Sequence, residues 1–157
     1  MEKAIIAIPL LLLVGMCGIC GNGWQEAGFG NQRYQLKNPA QFEVCNSIEC
    51  MNNNFGECVP SQFDTVINGT QVHAEIRGRS VNDECIVYLK VVSIDTSQLP
   101  PQYQMFAQGL EGADGICAFT DLDIKDIKNN DIDQKYLLSK CEGPLKEIAV
   151  MLSENKQ

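Results

Sequence analysis

His73 is the only histidine in the 157 residues, so any histidine-dependent nucleophile, general base or mixed metal cluster has to pass through it. It lies in an alternating run, Gln71, His73, Glu75 and Arg77, whose two-residue period puts all four polar side chains on one face of a strand. Asn68-Gly69, just upstream, is the preferred pair for a two-residue type I′ turn. With that turn, Ile67 faces Thr70, Thr65 faces Val72, Phe63 faces Ala74 and Asp64 faces His73. A carboxylate across from the ring and Glu75 two residues along could steady an imidazole for a hydroxyl or thiol brought from another strand. No G-x-S-x-G or comparable motif accompanies it, and a cross-strand surface pair explains the same residues. No catalytic residue is assigned, and Gln71, His73, Glu75 and Arg77 are taken as a candidate binding surface.

Other chemistries fare less well. Asp121, Asp123, Asp126, Asp131 and Asp133 crowd the last third, with Lys125 and Lys128 between them. An EF-hand loop counted from Asn129 would need glycine where Gln134 stands and glutamate where Lys140 stands, and one counted from Asp121 puts Lys125 on a ligand position. The stretch therefore reads as a solvated acidic loop or helix start. Zinc wants two close cysteine pairs, and none exists beyond the N-terminal segment. The glycines from Gly109 to Gly115 lack the lysine and the strand-then-helix setting of a phosphate loop. Neither a metal nor a cofactor is expected.

Cys17 and Cys20 have the CxxC spacing of a redox pair, but they end an apolar segment instead of joining a strand to a polar helix start. A lipid-modified cysteine would follow a small residue, and Met16 and Ile19 stand there instead. Cys45, Cys50, Cys58, Cys85, Cys117 and Cys141 make an even set, read as up to three disulfides. Their pairing is not fixed by sequence. The first three are expected to tie the region before the sheet to it, and Cys117 or Cys141 to close a longer loop.

That reading depends on export. Residues 4–22 carry no charge, follow Lys3, and centre on isoleucine, leucine and valine. Gly21 and Gly23 supply the small side chains a signal peptidase reads, so residues 1–23 are expected to be a signal peptide cleaved before Trp24, or else a retained membrane anchor. Either leaves the protein secreted or anchored on the outer side of the cytoplasmic membrane. Residues 24–41, polar and without period, read as a linker or loosely ordered lead-in, and 42–157 as a single domain. Twenty acidic against 12 basic residues give a net charge of −8, which disfavours nucleic acid as a partner. Membrane contact is expected only through the N-terminal segment.

The elements that must position these residues follow from period and punctuation. Residues 45–60, with Asn52, Asn53, Asn54 and Gly56, read as a turn-rich stretch in need of a crosslink, and 52–56 as a second possible contact loop. Residues 85–94 are apolar on both parities, as a central strand is, and should pair antiparallel with 71–77. Pro100 and Pro101 open a short helix with Tyr103, Phe106, Ala107 and Leu110 at helical spacing, followed by a strand over 116–120. A last helix begins at Pro144 and carries an apolar stripe of Leu145, Ile148, Ala149 and Leu152. The expected fold is α+β: an antiparallel sheet of three to five strands over residues 62–120, packed by the C-terminal amphipathic helix and stapled by disulfides.

The expected function is an extracytoplasmic, non-catalytic binding or interaction domain. The alternatives are an extracytoplasmic hydrolase using His73, or a calcium-dependent adhesion or sensing domain. Asn68-Gly69-Thr70 is also a formal N-glycosylation sequon. Mass spectrometry of the mature protein should show residues 1–23 missing, and reduction should add two hydrogens for each of three disulfides. An unprocessed chain with its downstream thiols open to alkylation would refute the export reading.

Overall fold

The structure, a computed structural model, describes residues 34–38, 41–67, 69–97 and 101–154. The N-terminal segment with Cys17 and Cys20, the cleavage position before Trp24, and Asn68 of the turn and sequon lie outside the described residues. So do the side chains of Tyr103, Phe106, Ala149 and Leu152 in the expected helical stripes.

The elements run β1 (Glu43–Val44), α1 (Ile48–Glu57), β2 (Ser61–Ile67), β3 (Thr70–Arg79), β4 (Cys85–Ile94), α2 (Pro101–Leu110), β5 (Asp114–Phe119), α3 (Asp121–Asn129), α4 (Gln134–Ser139), β6 (Cys141–Glu142) and α5 (Pro144–Glu154). The strands form one six-stranded sheet in chain order, β1-β2-β3-β4-β5-β6. Three to five strands were expected. The excess lies in β1 and β6, two-residue strands too short to show any period. The sheet is also not wholly antiparallel, because β1 pairs parallel with β2. Parallel neighbours need a crossover, and α1 supplies it.

The β2–β3 register has Ile67 facing Thr70, Thr65 facing Val72, Phe63 facing Ala74 and Asp64 facing His73, as the turn arithmetic requires. Gly69 has φ 79°, a left-handed conformation that glycine adopts without penalty. The β3–β4 pairing shifts twice, skipping Val92 on β4 and Arg77 on β3. Each skip is a bulge, an extra residue that resets the side-chain alternation beyond it.

One face of the sheet carries the main core. Phe63, Ala74, Ile76, Cys85, Val87, Cys117 and Phe119 pack against Met51 and Phe55 of α1, Ile124 and Ile127 of α3, and Leu137 of α4. Leu145 and Ile148 of α5 pack with Val91 and Ala113 at one end, beside Leu110 of α2, and Leu145 lies over Gly115 of β5. The expectation of a sheet packed by the C-terminal helix is thus corrected, since four other helices share that task and α5 covers one end. On the opposite face Tyr34 and Leu36, within the expected lead-in, pack on Ile86, Ile116 and Ala118.

The helix missed in the asparagine-rich stretch has local causes. The Ser47 side chain accepts from the Cys50 N–H, Cys58 closes the other end at φ 56°, and Met51 and Phe55 point one turn apart into the core. Gly56 leaves room for a neighbour, because the Lys128 Nζ of α3 occupies the place its Cβ would take.

The disulfides are Cys45–Cys50, Cys58–Cys85 and Cys117–Cys141, closing separations of 5, 27 and 24 residues. The first is local, the second ties the end of α1 to β4, and the third joins directly opposed residues of β5 and β6. Loop-closure entropy grows with the logarithm of loop length, so losing Cys58–Cys85 as a paired alanine variant should cost about 1.5 kcal/mol more than losing Cys45–Cys50. Urea unfolding of the two variants measures the difference. Equal losses would show that chain closure is not what these bonds contribute.

Candidate functional site

The face of β2–β5 away from the main core carries a continuous polar strip. Asp64 of β2 and His73 of β3 form a directly opposed cross-strand pair, with His73 Nδ1 at 2.8 Å from Asp64 Oδ1. His73 Nε2 lies 3.0 Å from Glu75 Oε1, and Arg77 Nε donates to Glu75 Oε2 at 2.8 Å. The Arg77 guanidinium sits 4.2 Å from the centroid of the Tyr88 ring on β4, and the Tyr88 hydroxyl donates to Asp114 of β5 at 3.0 Å. Six side chains on four neighbouring strands are thereby joined.

The strip exists because β3 alternates. Val72, Ala74 and Ile76 go into the core, which leaves His73 and Glu75 on the other side. Arg77 is the residue skipped at the second bulge, which sets it beside Glu75 and over Tyr88. Beyond the bulge Arg79 faces Cys85, on the core side, and donates to Asp121 at the start of α3 at 2.7 Å.

Three of the four expected residues, His73, Glu75 and Arg77, are thus brought into contact. Gln71 is not joined to them; it lies nearer the turn and accepts from the Ser93 hydroxyl at 3.3 Å. The sequence missed Tyr88 and Asp114 as members of the strip, and Lys90, which stands exposed directly opposite His73 on β4. Tyr88 was visible only as a polar-tipped residue on the second parity of β4. Its link to Asp114 depends on a β4–β5 register that no turn motif announces.

The electrostatics decide what His73 can do. Burial alone would disfavour its charged form, but hydrogen bonds and negative charge from Glu75 and Asp64 outweigh that and raise its pKa above 6.5. For Glu75 burial acts upward, and it is outweighed by His73 and Arg77, so the carboxyl ends below 4.5. Burial and the bond to Asp114 push the Tyr88 hydroxyl up to about 12, keeping it a donor. With a carboxylate at each ring nitrogen, the doubly protonated form of His73 is favoured, and both nitrogens are engaged within the strip.

The acidic last third is organised around helix starts. Asp123 is buried; it accepts from the Thr120 backbone and hydroxyl, from the Tyr136 hydroxyl at 2.8 Å, and pairs with Lys140 at 3.1 Å. Burial disfavours its charged form, yet these donors hold its carboxyl below the usual range. Thr120 and Asp123 form a capping box for α3, and Asp133 caps α4. Among the described residues no three or more His, Cys, Asp or Glu side chains converge to hold a metal ion.

Disulfides belong to an oxidising environment, and among the described residues no helix is long and apolar enough to cross a membrane.

The pKa directions fix the sign of a pH effect. A raised His73 pKa stabilises the fold below 6.5, and that contribution is lost as pH rises through the folded value. A lowered Glu75 pKa stabilises above 4.5 and is lost as pH falls through the folded value. Both contributions are therefore fully present only between those two reference values. Urea midpoints measured upward from mildly acidic pH should decline on the alkaline side, and His73→Gln should flatten that decline. Identical slopes in the two proteins would sink the assignment.

Comparison with protein-family models, curated proteins and solved structures finds no match, so the residues themselves carry the functional reading.

Proposed function

We propose that this chain is a secreted or membrane-tethered extracytoplasmic binding module without catalytic activity, and that Gln71, His73, Glu75 and Arg77 lie at the centre of its contact surface. The observation that carries this reading is the engagement of both His73 ring nitrogens by carboxylates. Such a ring, its charged form favoured, takes part in a network of alternating charges suited to holding complementary groups in register. Arg77 stacked on Tyr88 adds a rigid aromatic and a guanidinium, residue types that anchor protein interfaces.

Three disulfides support the extracytoplasmic part, because they give a small domain persistence outside the cell. The partner is an extracytoplasmic molecule and not a nucleic acid, given the net charge of −8.

A photo-crosslinking residue in place of Lys90, at the middle of the strip, should capture a partner on the outside of the producing cells. The same residue in place of Leu122, which is exposed on α3, should not. His73→Gln in the Lys90-labelled protein should reduce capture severalfold. Equal capture from both positions, or ester, peptide or glycoside hydrolysis abolished by His73→Gln, would overturn the reading.

A further inference from the structure

The outer edge of β2 is only half occupied. β1 pairs with it at Ser61 and Gln62, and the N–H groups of Glu43 and Cys45 donate to the carbonyls of Pro60 and Gln62 at 3.1 and 2.9 Å. There the chain turns away, since Cys45 is bonded to Cys50 and Ser47 starts α1. Ile67 and Thr70 flank the two-residue turn, so the odd-numbered residues of β2 direct their N–H and C=O groups at β3. The even-numbered ones point outward, as the Gln62 carbonyl does towards Cys45. The outward backbone groups of Asp64 and Val66 have no backbone partner among the described residues.

Two further observations fall on the same edge. A cleft of about 360 Å³ runs along it, lined by Asn46, Phe63, Asp64, Thr65, Val66 and Gln71. Of the seven exposed large apolar side chains among the described residues, three lie at this edge: Phe42, Val44 and Val66, the last 67% exposed. Open edges are commonly blunted by lysine, proline or a bulge. β2 has none of these, and its one outward charge, Asp64, is paired with His73.

We propose that an extended segment of a partner protein, carrying a basic and an apolar side chain two residues apart, adds to this edge as a strand in line with β1. The proposal rests on the binding-module reading and gives it a mode of contact. Strand addition supplies affinity through main-chain hydrogen bonds and specificity through alternate side chains. The cleft's only charged lining residue is Asp64, and Val66, two residues on, shares its face of β2, so a basic side chain fits next to Asp64 and an apolar one next to Val66 on the same face of the added strand. A second copy of the chain fits less well, because each copy carries −8.

The test uses the full mature protein and a capped octapeptide whose even positions alternate lysine and valine and whose odd positions are threonine, with titration followed by NMR. Saturable binding is expected, with shifts centred on Asp64 to Ile67. Val66→Pro removes an outward N–H without breaking a bond to β3, which edge positions tolerate, and should weaken binding at least about tenfold. Glutamate in place of lysine, or alternate N-methylation of the peptide, should do the same. The N-methylated peptide keeps the question answerable on unaltered protein if the proline variant fails to fold. No saturable binding, undiminished binding by Val66→Pro or by the N-methylated or glutamate peptides, or a dimer in sedimentation that Val66→Pro dissociates would each overturn the proposal. These outcomes do not touch capture from Lys90, whose failure would instead count against the polar strip.

Discussion

The register of the β2–β3 hairpin is the constraint on which both faces of this protein depend. Asp64 stands across from His73 and Phe63 across from Ala74 because a two-residue turn, with Gly69 in the left-handed region, allows no slack. A slip of one residue would carry Phe63 out of the core and bring Asp64 beneath α1. An ionised carboxylate there, away from His73, would be expensive to bury. Core packing on one side and charge pairing on the other therefore enforce the same alignment.

The second bulge divides the work of two arginines that simple alternation would have put on one side. Arg77 stays with Glu75 and Tyr88, while Arg79 crosses to Asp121 and holds the first turn of α3 to the sheet. Gly78 permits this, with φ 96° and the Pro60 ring packed where a side chain would start. The polar strip and the docking of α3 thus share one local irregularity.

Much of this was legible in the residues. The turn pair, the alternation of β3, the doubly apolar β4 and the proline-led helices α2 and α5 all follow from local chemistry, and they place His73, Glu75 and Arg77 on one surface. What was not legible has physical reasons. β1 and β6 are held by a neighbouring crossover and by the Cys117–Cys141 bond, not by any period of their own. Helix α1 is written in poor helix formers and survives through its caps, a disulfide and the Met51–Phe55 pair. The acidic stretch reads as a solvated loop or helix start, but which threonine and aspartate would close a capping box depends on where α3 begins, and Asp123 is one of five aspartates crowded there. Gln71 fell outside the joined strip because a face assigns direction, while contact also depends on side-chain length and on the bulge at Val92.

Because every strand lies beside its neighbour in the chain, the sheet can assemble by short-range closures, the topology that favours rapid folding among β-containing domains. Each cysteine partner then arrives by way of adjacent elements, across separations of 5, 27 and 24 residues, before any long search is needed. Oxidation becomes a step that records a conformation already reached. Pairing between chain neighbours thus carries six thiols to their mates through contacts the sheet makes for its own sake.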